Sequence, residues 1–466
     1  MIEFLSRAID RLSTIVFFKV PFFGTEIEAI VLWLAVPMLL FTLWLGFINI
    51  RGFPLALRIV RGHFHDPHAP GNVSQFAALS TALSGTIGLG NIAGVAIAIS
   101  TGGPGAAFWM LVIGFFAMTL KCAEVTLGLK YRRIDADGRV HGGPMYTLKN
   151  GLAARGLPRL GLVLGGIYAI LALGGAIPLV QVNQSFAQVS AVTGFDNGWA
   201  YGAGMAALVA VVVIGGVGWL ARVTSILVPA MCLVYLAGVA AVLVLDAAAI
   251  PGAVVTIWRD AWSGEAAAGG AVGAFVIGMR RAVYSSEAGI GSAVIAHSAA
   301  RTHEPVSEGL VALIEPFLDT VVVCSLGALM IVVAGTWNDG LEGVAITSAA
   351  FAQVAGWFPA VLAVAVFLFG YSTLIAWGYY GLQAWGYLFG HSRLAEMLYK
   401  AGYCLILPIG AVLDLGRVID LIDSAFFLMA IPNVIALYLF APELRRDVFD
   451  YLKRMRTASP AITGVA

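Results

Sequence analysis

The sequence predicts an all-α integral membrane protein with about eleven transmembrane helices, and three observations lead to this fold class. Hydrophobic residues make up 60% of the 466-residue chain and charged residues only 11%, whereas a soluble domain carries about a quarter charged residues. Apolar runs long enough to cross about 30 Å of hydrocarbon recur from Glu26 to Phe440. Two runs are interrupted at corresponding positions of two halves, which favours a five-plus-five inverted repeat with one additional N-terminal transmembrane helix.

Glycine and proline clusters and charged residues divide the apolar sequence into eleven spans. We place them near residues 26–50, 75–100, 105–130, 160–190, 199–217, 220–246, 270–298, 306–334, 357–389, 397–415 and 418–440. A shorter apolar stretch at 341–355 has Asp339 and Glu342 at its start, so we expect a helix that covers the outer mouth rather than a span. No small-residue cleavage site follows the first span, so we expect no removable signal peptide.

Basic residues indicate the orientation. With these spans, nineteen of the 27 lysines and arginines lie on the side of the C-terminal tail and five on the other side. The positive-inside rule makes the first side cytoplasmic, so we expect a multi-pass protein of a bacterial inner (plasma) membrane with its C-terminus inside and its N-terminus outside. The expected organisation is an N-terminal segment (1–25), the extra helix and a basic loop (26–74), the first repeat (75–246), an extracellular loop (247–269), the second repeat (270–441) and a cytoplasmic tail (442–466).

The second span contains a glycine-rich segment, Ser84 to Gly94, with the sequence SGTIGLGNIAG. Each glycine weakens a helix by about 1 kcal/mol relative to alanine. Irregular backbone at membrane depth survives only where it lines a cavity or meets a ligand, because lipid satisfies no polar group. Glycines in membrane helices also serve close helix packing, which is the alternative reading of this segment.

The seventh span repeats the pattern with YSSEAGIGS, from Tyr284 to Ser292. Each of the two segments opens a set of five spans, and five is an odd number, so the two sets must insert in opposite senses. Paired interruptions of this kind are typical of secondary transporters, whose interrupted helices present N–H groups to an anionic group and carbonyls to Na⁺. The sequence therefore predicts a solute and ion site between the two breaks.

Several longer motifs resemble the alanine or glycine:cation symporter family, also called sodium:alanine symporters. The similar segments are Gly85–Gly94, Gly102–Met110, Gly142–Tyr146, Ser285–His297, Glu315–Thr320, Tyr371–Thr373 and Trp377–Gly381. The resemblance implies a leucine-transporter-like fold and sodium-coupled symport of a small neutral amino acid, alanine or glycine, by alternating access. This chain has Ser286 where family members usually have Asn, and Leu382 where they often have Glu.

The resemblance also implies site residues. Backbone N–H groups near Leu89 and Gly90 would receive the substrate carboxylate. The expected substrate site comprises Thr86, Gly88, Leu89, Gly90, Tyr284, Ser285, Ser286, Glu287, Thr373 and Trp377. The expected sodium site comprises Ser84, Ile87, Asn91, Ser372 and Thr373, with Asn91 equally compatible with a packing role.

Other polar residues within spans need partners, because an ionisable group in hydrocarbon costs at least about 2.5 kcal/mol. We expect Lys121 to pair with Glu124 three residues later, and His297 to form hydrogen bonds near the cytoplasmic interface. Glu287 is expected either to organise the second break or to contact the substrate amine. The four cysteines lie in apolar segments without paired spacing, which argues against disulfides and a zinc site.

Three alternatives are weighed against a sodium symporter. A membrane-embedded enzyme lacks support, because the spans contain neither an HExxH pair nor a serine with a nearby histidine base. A passive channel would need a continuous ring of pore-lining groups. Proton coupling would need a titratable residue at the sodium site, where Ser372 and Thr373 are expected. The expected partners are thus a small neutral amino acid, Na⁺ and membrane lipid, with no cofactor and no nucleic acid, and the sequence leaves the oligomeric state open.

Overall fold

The computed structural model describes residues 10–22, 25–177, 179–263, 270–413 and 416–462. The predicted N-terminal segment and extracellular loop therefore lie partly outside the described residues. Within them the protein is built almost entirely of helices, joined by short turns and two small hairpins.

The helices are numbered in chain order. They are α1 (10–16), α2 (Ala29–Trp44), α3 (Ile48–Arg51), α4 (Phe53–Val60), α5 (Gln75–Thr86), α6 (Ala93–Gly102), α7 (Gly105–Lys130), α8 (Pro144–Ala154), α9 (Pro158–Gly175), α10 (Leu179–Thr193), α11 (Gly198–Ile214), α12 (Gly216–Leu245), α13 (Ile250–Asp260), α14 (Gly270–Ser286), α15 (Ala293–His297), α16 (Pro305–Val311), α17 (Ile314–Pro316), α18 (Ser325–Ala334), α19 (Val344–Ala352), α20 (Pro359–Phe389), α21 (Arg393–Val412) and α22 (Gly416–Ile462). Short 3₁₀ helices cover Leu89–Asn91, Ala247–Ala249 and Thr336–Asn338, and a π-helix covers Phe317–Cys324.

Two antiparallel hairpins lie outside the helices. Strand β1 (Lys19–Phe22) pairs with β2 (Thr25–Glu28) just before α2. Strand β3 (Arg133–Ile134) pairs with β4 (Val140–His141) between α7 and α8. The second hairpin and α8 occupy the loop that the sequence places on the cytoplasmic side.

Among the described residues, seven helical segments are long and apolar enough to cross a membrane, and the bent pair of α5 with the segment Leu89–Gly102 makes an eighth. Helices α2 and α11 are shorter apolar helices. These segments confirm the prediction of an all-α integral membrane protein. The count of eleven remains a prediction, because α2 and α11 are short and a six-residue break separates α14 from α15. The stretch at 341–355 contains only the nine-residue α19.

The first glycine-rich segment interrupts its span as predicted. Helix α5 ends at Thr86, Ile87 and Gly88 are extended, and a single 3₁₀ turn precedes α6. The chain bends by 63° across this break. Side-chain packing rather than solvent surrounds it, since Leu89 and Asn91 are buried.

The second glycine-rich segment also interrupts its span. Helix α14 ends at Ser286 and α15 begins at Ala293. Between them Glu287, Gly289 and Gly291 have φ angles of 53°, 88° and 83°, which is the left-handed region that a right-handed helix excludes. Asn433 Nδ2 donates to the carbonyl of Gly289 at 2.9 Å and the Tyr168 hydroxyl to that of Ile290 at 3.0 Å. Side chains from α22 and α9 therefore satisfy the interrupted backbone.

Close contacts at glycines bring the central helix α7 against its neighbours. A Cβ on Gly128 would collide with Val294 of α15, and one on Gly309 of α16 would collide with Thr126. A Cβ on Gly278 of α14 would lie 2.7 Å from the carbonyl oxygen of Ala106. Small residues permit this approach, as is usual between membrane helices, and they fix the second break against α7.

Candidate functional site

A small cavity lies between the two breaks. Its volume is about 40 Å³, on a scale where one water molecule needs about 10–15 Å³. The walls come from both breaks and from α9, α10, α20 and α22. The lining residues are Gly85, Thr86, Gly88, Leu89, Gly90, Gly175, Ile177, Gln181, Tyr284, Glu287, Thr373, Trp377, Ile422 and Phe426.

The first break supplies backbone donors to this cavity. The N–H of Gly88 donates to Asn91 Oδ1 at 2.9 Å. The N–H groups of Leu89 and Gly90, which begin the 3₁₀ turn, donate to no other described residue. Two free N–H groups at a helical N-terminus attract an anion. They lie in the cavity wall, where a carboxylate would satisfy them.

The second break supplies a carboxylate. Glu287 lies in the cavity wall, accepts a hydrogen bond from Trp377 Nε1 at 3.1 Å, and is also bonded by the Ser292 hydroxyl. Its left-handed backbone is unusual for a residue with a side chain and stores about 1–3 kcal/mol. Strained residues of this kind concentrate at binding sites.

Aromatic rings close one side of the cavity. Tyr284 and Phe426 lie 5.2 Å apart between ring centroids, and Trp377 lies 6.1 Å from Phe426. A Cβ on Gly90 would lie 3.3 Å from the Tyr284 ring. These rings leave little volume for a long substrate side chain.

Ser84 and Ser372, two of the residues expected to bind sodium, face each other across α5 and α20. The Ser84 hydroxyl lies 2.8 Å from the Ser372 hydroxyl, which is within 3.2 Å of the Ser84 carbonyl. Thr373 Oγ1 is buried and has no hydrogen-bond partner among the described residues. A Cβ on Gly88 would lie 2.5 Å from this oxygen. The Thr373 hydroxyl oxygen is therefore free to bind a ligand beside the first break.

Asn91 belongs to a polar cluster behind the first break. Its Nδ2 donates to Ser285 Oγ at 3.1 Å and contacts Asp319 Oδ1, while Ser285 Oγ donates to Asp319 Oδ1 at 2.8 Å. Thr320 Oγ1 donates to Asp319 Oδ2 at 2.9 Å. The cluster connects both breaks to the π-helix, a geometry frequent at functional sites.

Two residues expected in the substrate site lie outside the cavity wall. Ser285 points to Asp319, and the Ser286 hydroxyl donates to the carbonyl of Ala282 at 2.8 Å. Both residues end α14, so their side chains follow the helix rather than the break. Conversely, Gln181 and Phe426 line the cavity, although no local sequence pattern indicates them. Asp319, which the sequence does not predict as a site residue, lies four residues after Glu315 in the segment Glu315–Thr320.

The buried charges form a network different from the expected one. Lys121 Nζ lies 3.6 Å from Glu315 Oε2, rather than pairing with Glu124. Glu124 accepts a hydrogen bond from Asn433 at 2.6 Å. The reason is tertiary: α17 packs on the same face of α7, so its carboxylate reaches Lys121 within the hydrocarbon depth.

His297 forms hydrogen bonds as expected, and its partners are two buried carboxylates. It is fully buried, with Nδ1 2.6 Å from Glu308 Oε1 and Nε2 2.5 Å from Glu315 Oε1. A neutral imidazole donates from one nitrogen only. Each ring nitrogen of His297 faces a carboxylate, so the three groups together carry one proton more than a neutral imidazole and two ionised carboxylates would. The network ties α15 to α16 and α17.

A second cavity, of about 270 Å³, lies beside the β3–β4 hairpin. His141 and His391 line it with ring centroids 4.0 Å apart. His141 Nε2 lies 2.9 Å from Asp135 Oδ2 and His391 Nδ1 3.7 Å from Glu396 Oε1. Helix α20 connects the two cavities, since Thr373 and Trp377 line the small one and Tyr379 lines this one.

Comparisons with known proteins identify the family and the fold. A family model described as the sodium:alanine symporter family matches residues 13–463. The chain is 37% identical over 405 residues to the sodium/alanine symporter AgcS of Methanococcus maripaludis, covering 86% of this chain and 89% of that protein. It is 31% identical over 423 residues to the amino-acid carrier protein AlsT of Bacillus subtilis, covering 90% and 88%. The crystal structure of MhsT in complex with L-phenylalanine has a TM-score of 0.54 at 15% identity and covers 81% of this chain and 98% of that chain, which shows a common fold.

Proposed function

The chain belongs to the sodium:alanine symporter family, and from this premise we propose that it carries a small neutral amino acid, alanine or glycine, together with Na⁺ by alternating access. Family membership makes it a cation-coupled amino-acid symporter, an integral membrane transporter and not an enzyme. Its fold is the leucine-transporter type.

One observation carries the proposal: the small cavity has free N–H groups in one wall and a carboxylate in another. Free N–H groups of Leu89 and Gly90 suit the carboxylate of an amino acid, and the Glu287 carboxylate suits its ammonium group. A zwitterion satisfies both without adding net charge to the interior. Neither a simple cation nor a simple anion would satisfy both walls.

Cavity size supports a short side chain. A volume of about 40 Å³ accommodates about three water molecules, and the Tyr284, Trp377 and Phe426 rings block extension. Glycine and alanine fit this description better than branched or aromatic amino acids. Gln181 adds a polar group that distinguishes small substrates by hydrogen bonding rather than by charge.

Sodium is supported by the oxygen ligands around Thr373. Neutral oxygen atoms suit an alkali cation. Those available here are the free Thr373 hydroxyl, the Ser372 hydroxyl and the carbonyls from Ser84 to Ile87 at the end of α5. These hydroxyls do not titrate near neutral pH, so they bind a metal ion rather than a proton. We therefore propose Ser84, Ile87, Ser372 and Thr373 as the sodium site and assign Asn91 to the neighbouring cluster.

A proton is the second candidate for the coupling ion, and one observation favours it. Asp319 is a buried titratable carboxylate in direct contact with Asn91 and Ser285, next to the first break. Proton coupling needs a titratable group of this kind near the substrate. The same carboxylate equally serves a second cation, so the ion has to be identified by transport measurements.

The two cavities suggest a route. The small cavity is lined by side chains from both repeats, and the larger cavity lies beside the hairpin that the basic residues place on the cytoplasmic side. We therefore propose that substrate leaves along α20 past Tyr379 when the bundle rocks. This direction depends on the proposed location in a bacterial inner membrane with the C-terminus inside.

Uptake in proteoliposomes tests the proposal. Labelled alanine and glycine are offered with an inward Na⁺ gradient, with choline in its place, and with an inward proton gradient alone, with protein-free liposomes as the control. We expect concentrative uptake only with Na⁺, competed by unlabelled alanine and not by phenylalanine. Equal uptake with choline contradicts sodium coupling, uptake driven by protons alone favours the second candidate, and uptake of neither amino acid contradicts the substrate.

A further inference from the structure

A cavity of about 400 Å³ lies between α4 and the C-terminal part of α22 and shares no lining residue with the small cavity. Three arginines line it, Arg51, Arg58 and Arg456, together with apolar side chains that include Phe64, Leu452 and Met455. No acidic residue lies in its wall among the described residues. The cavity therefore combines concentrated positive charge with an apolar floor.

The three arginines have no carboxylate partner among the described residues. Arg51 Nη1 donates to the Gly46 carbonyl at 3.2 Å, and Arg58 lies 5.5 Å from the Phe64 ring centroid. Arg51 and Arg456 are exposed. Guanidinium groups gathered without an acid repel one another, and an anion that binds between them relieves that repulsion.

The opposite face of α22 does have acidic partners for its basic residues, so, in the described part of the chain, the absence of acidic residues is confined to the cavity side. There Glu443 and Asp447 pair with Lys130, and Arg454 pairs with Glu304 at 2.6 Å. The cavity on that side is lined by acids as well as bases. The C-terminal part of α22 therefore has its charged residues paired on one face, whereas the arginine on its other face has no carboxylate partner among the described residues.

Neighbouring residues place the cavity at headgroup depth. Trp44 ends α2 with 47% of its surface exposed, and the Arg445 guanidinium lies 4.8 Å from its ring centroid. Tryptophan and arginine together mark the membrane interface. Leu40 and Leu43 on α2 are also exposed, which suits contact with acyl chains immediately below. Arg51 follows Trp44 by only seven residues.

We propose that this cavity binds the phosphodiester headgroup of an anionic phospholipid, with the acyl chains against the exposed leucines of α2. Arginine binds phosphate oxygens in a bidentate manner, and basic pockets between helices on the cytoplasmic side take acidic headgroups. The apolar floor suits the glycerol end of the lipid. Free phosphate offers the same oxygens without acyl chains, so the experiment separates the two sources.

Lipid retention by the purified full-length protein tests this inference without relying on transport. The protein in detergent is mixed with phosphatidylglycerol, with phosphatidylcholine of identical acyl chains, or with inorganic phosphate, and bound lipid and thermal stability are measured. We compare wild type with R51Q/R58Q/R456Q and with the control R159Q/R222Q/R393Q, which removes the same charge elsewhere.

Wild type and the control should bind phosphatidylglycerol and gain thermal stability, and the cavity variant should lose about a hundredfold in affinity, at about fivefold per arginine. Equal binding of the two lipids by wild type, or unchanged binding by the cavity variant, overturns the proposal. Equal stabilisation by inorganic phosphate assigns the cavity to a free anion and also overturns it. If the triple variant fails to assemble, R51Q, R58Q and R456Q are measured singly, where graded losses support the site and no loss overturns it.

Discussion

The indole Nε1 of Trp377 donates a hydrogen bond to Glu287 Oε1 at 3.1 Å and so joins α20 to the second break. The contact lies in the cavity wall, where it connects a helix to the interrupted segment. It fixes the carboxylate in the position where we propose that it meets the substrate ammonium group.

Replacing this donor should weaken substrate binding. Trp377→Phe removes the hydrogen bond and keeps most of the ring, and a hydrogen bond to a charged group contributes about 1.5–3 kcal/mol. We expect the apparent KM for alanine to rise about tenfold to a hundredfold, measured by uptake in proteoliposomes. Trp385→Phe on the same helix is the matched control, because its Nε1 has no partner among the described residues. An unchanged KM in Trp377→Phe would contradict the proposed role.

Gly88→Ala should abolish transport without preventing membrane insertion. The added Cβ would lie 2.5 Å from Thr373 Oγ1, which obstructs both the cavity and the free hydroxyl. Gly94→Ala is the control, since a Cβ there meets no atom of the described residues within 4 Å. Uptake and yield in the membrane are measured for both, and normal uptake by Gly88→Ala would exclude the cavity as the substrate site.

Thr373→Val should reduce the affinity for sodium more than that for alanine. Valine keeps the shape of threonine and removes the oxygen that has no hydrogen-bond partner in the described part of the chain. We expect the sodium concentration for half-maximal uptake to rise about tenfold, as for the loss of one good ligand. Thr347→Val on α19 removes another buried hydroxyl without a partner in that part of the chain and should leave that concentration unchanged. A Thr373→Val protein with the sodium dependence of wild type would place the ion elsewhere.

Lys121→Met should destabilise the protein. The substitution leaves His297 as the remaining partner of Glu315, and breaking a buried ion pair costs about 3–5 kcal/mol. The expected result is a lower yield of folded protein in detergent and a lower apparent melting temperature. The double variant Lys121→Met/Glu315→Gln removes both charges and should recover much of the loss. A double variant less stable than the single one would show that Glu315 is held by His297 instead.

Acidification should loosen the β3–β4 hairpin through His391, which lies in the loop between α20 and α21. Burial, followed by the nearby His141, lowers the pKa of His391 below its ordinary value of 6.5, although Glu396 opposes the shift. The folded protein therefore favours the neutral ring. Its stabilising contribution is complete above pH 6.5 and is lost as the pH falls through 6.5 and then through the lower folded-state pKa.

This pH effect is measurable as a change in apparent melting temperature. Between about pH 7.5 and about pH 5.5, wild type should lose more stability than His391→Gln, which cannot charge. His65→Gln, at an exposed loop position, should behave as wild type. The same loss in His391→Gln and in wild type would assign the acid sensitivity to other groups.

The breaks could be predicted from the sequence because their cause is local. Four glycines between Gly85 and Gly94, and Gly289 and Gly291 with two serines before them, remove helix propensity within the segment itself. Helix α7 spans the predicted 105–130, since the glycine and proline residues before it and the basic loop after it are equally local.

The partners of buried groups could not be predicted, because they depend on packing between distant helices. Spacing suggested Glu124 for Lys121, but α17 brings Glu315 to it from almost two hundred residues away. Gln181 and Phe426 lie on helices with no unusual local composition, so their place in the cavity follows only from the fold. Sequence analysis finds where a helix stops, and tertiary structure decides which side chains meet there.

The left-handed residues of the second break determine how it can move. Restoring a continuous helix from α14 to α15 would require Glu287, Gly289 and Gly291 to rotate together to negative φ and would break the hydrogen bonds from Asn433, Tyr168 and Trp377. The interruption is therefore expected to persist when the helix moves. Because α15 packs against α7 at Gly128 and α14 packs against it at Gly278, both halves of the interrupted span should move together with α7.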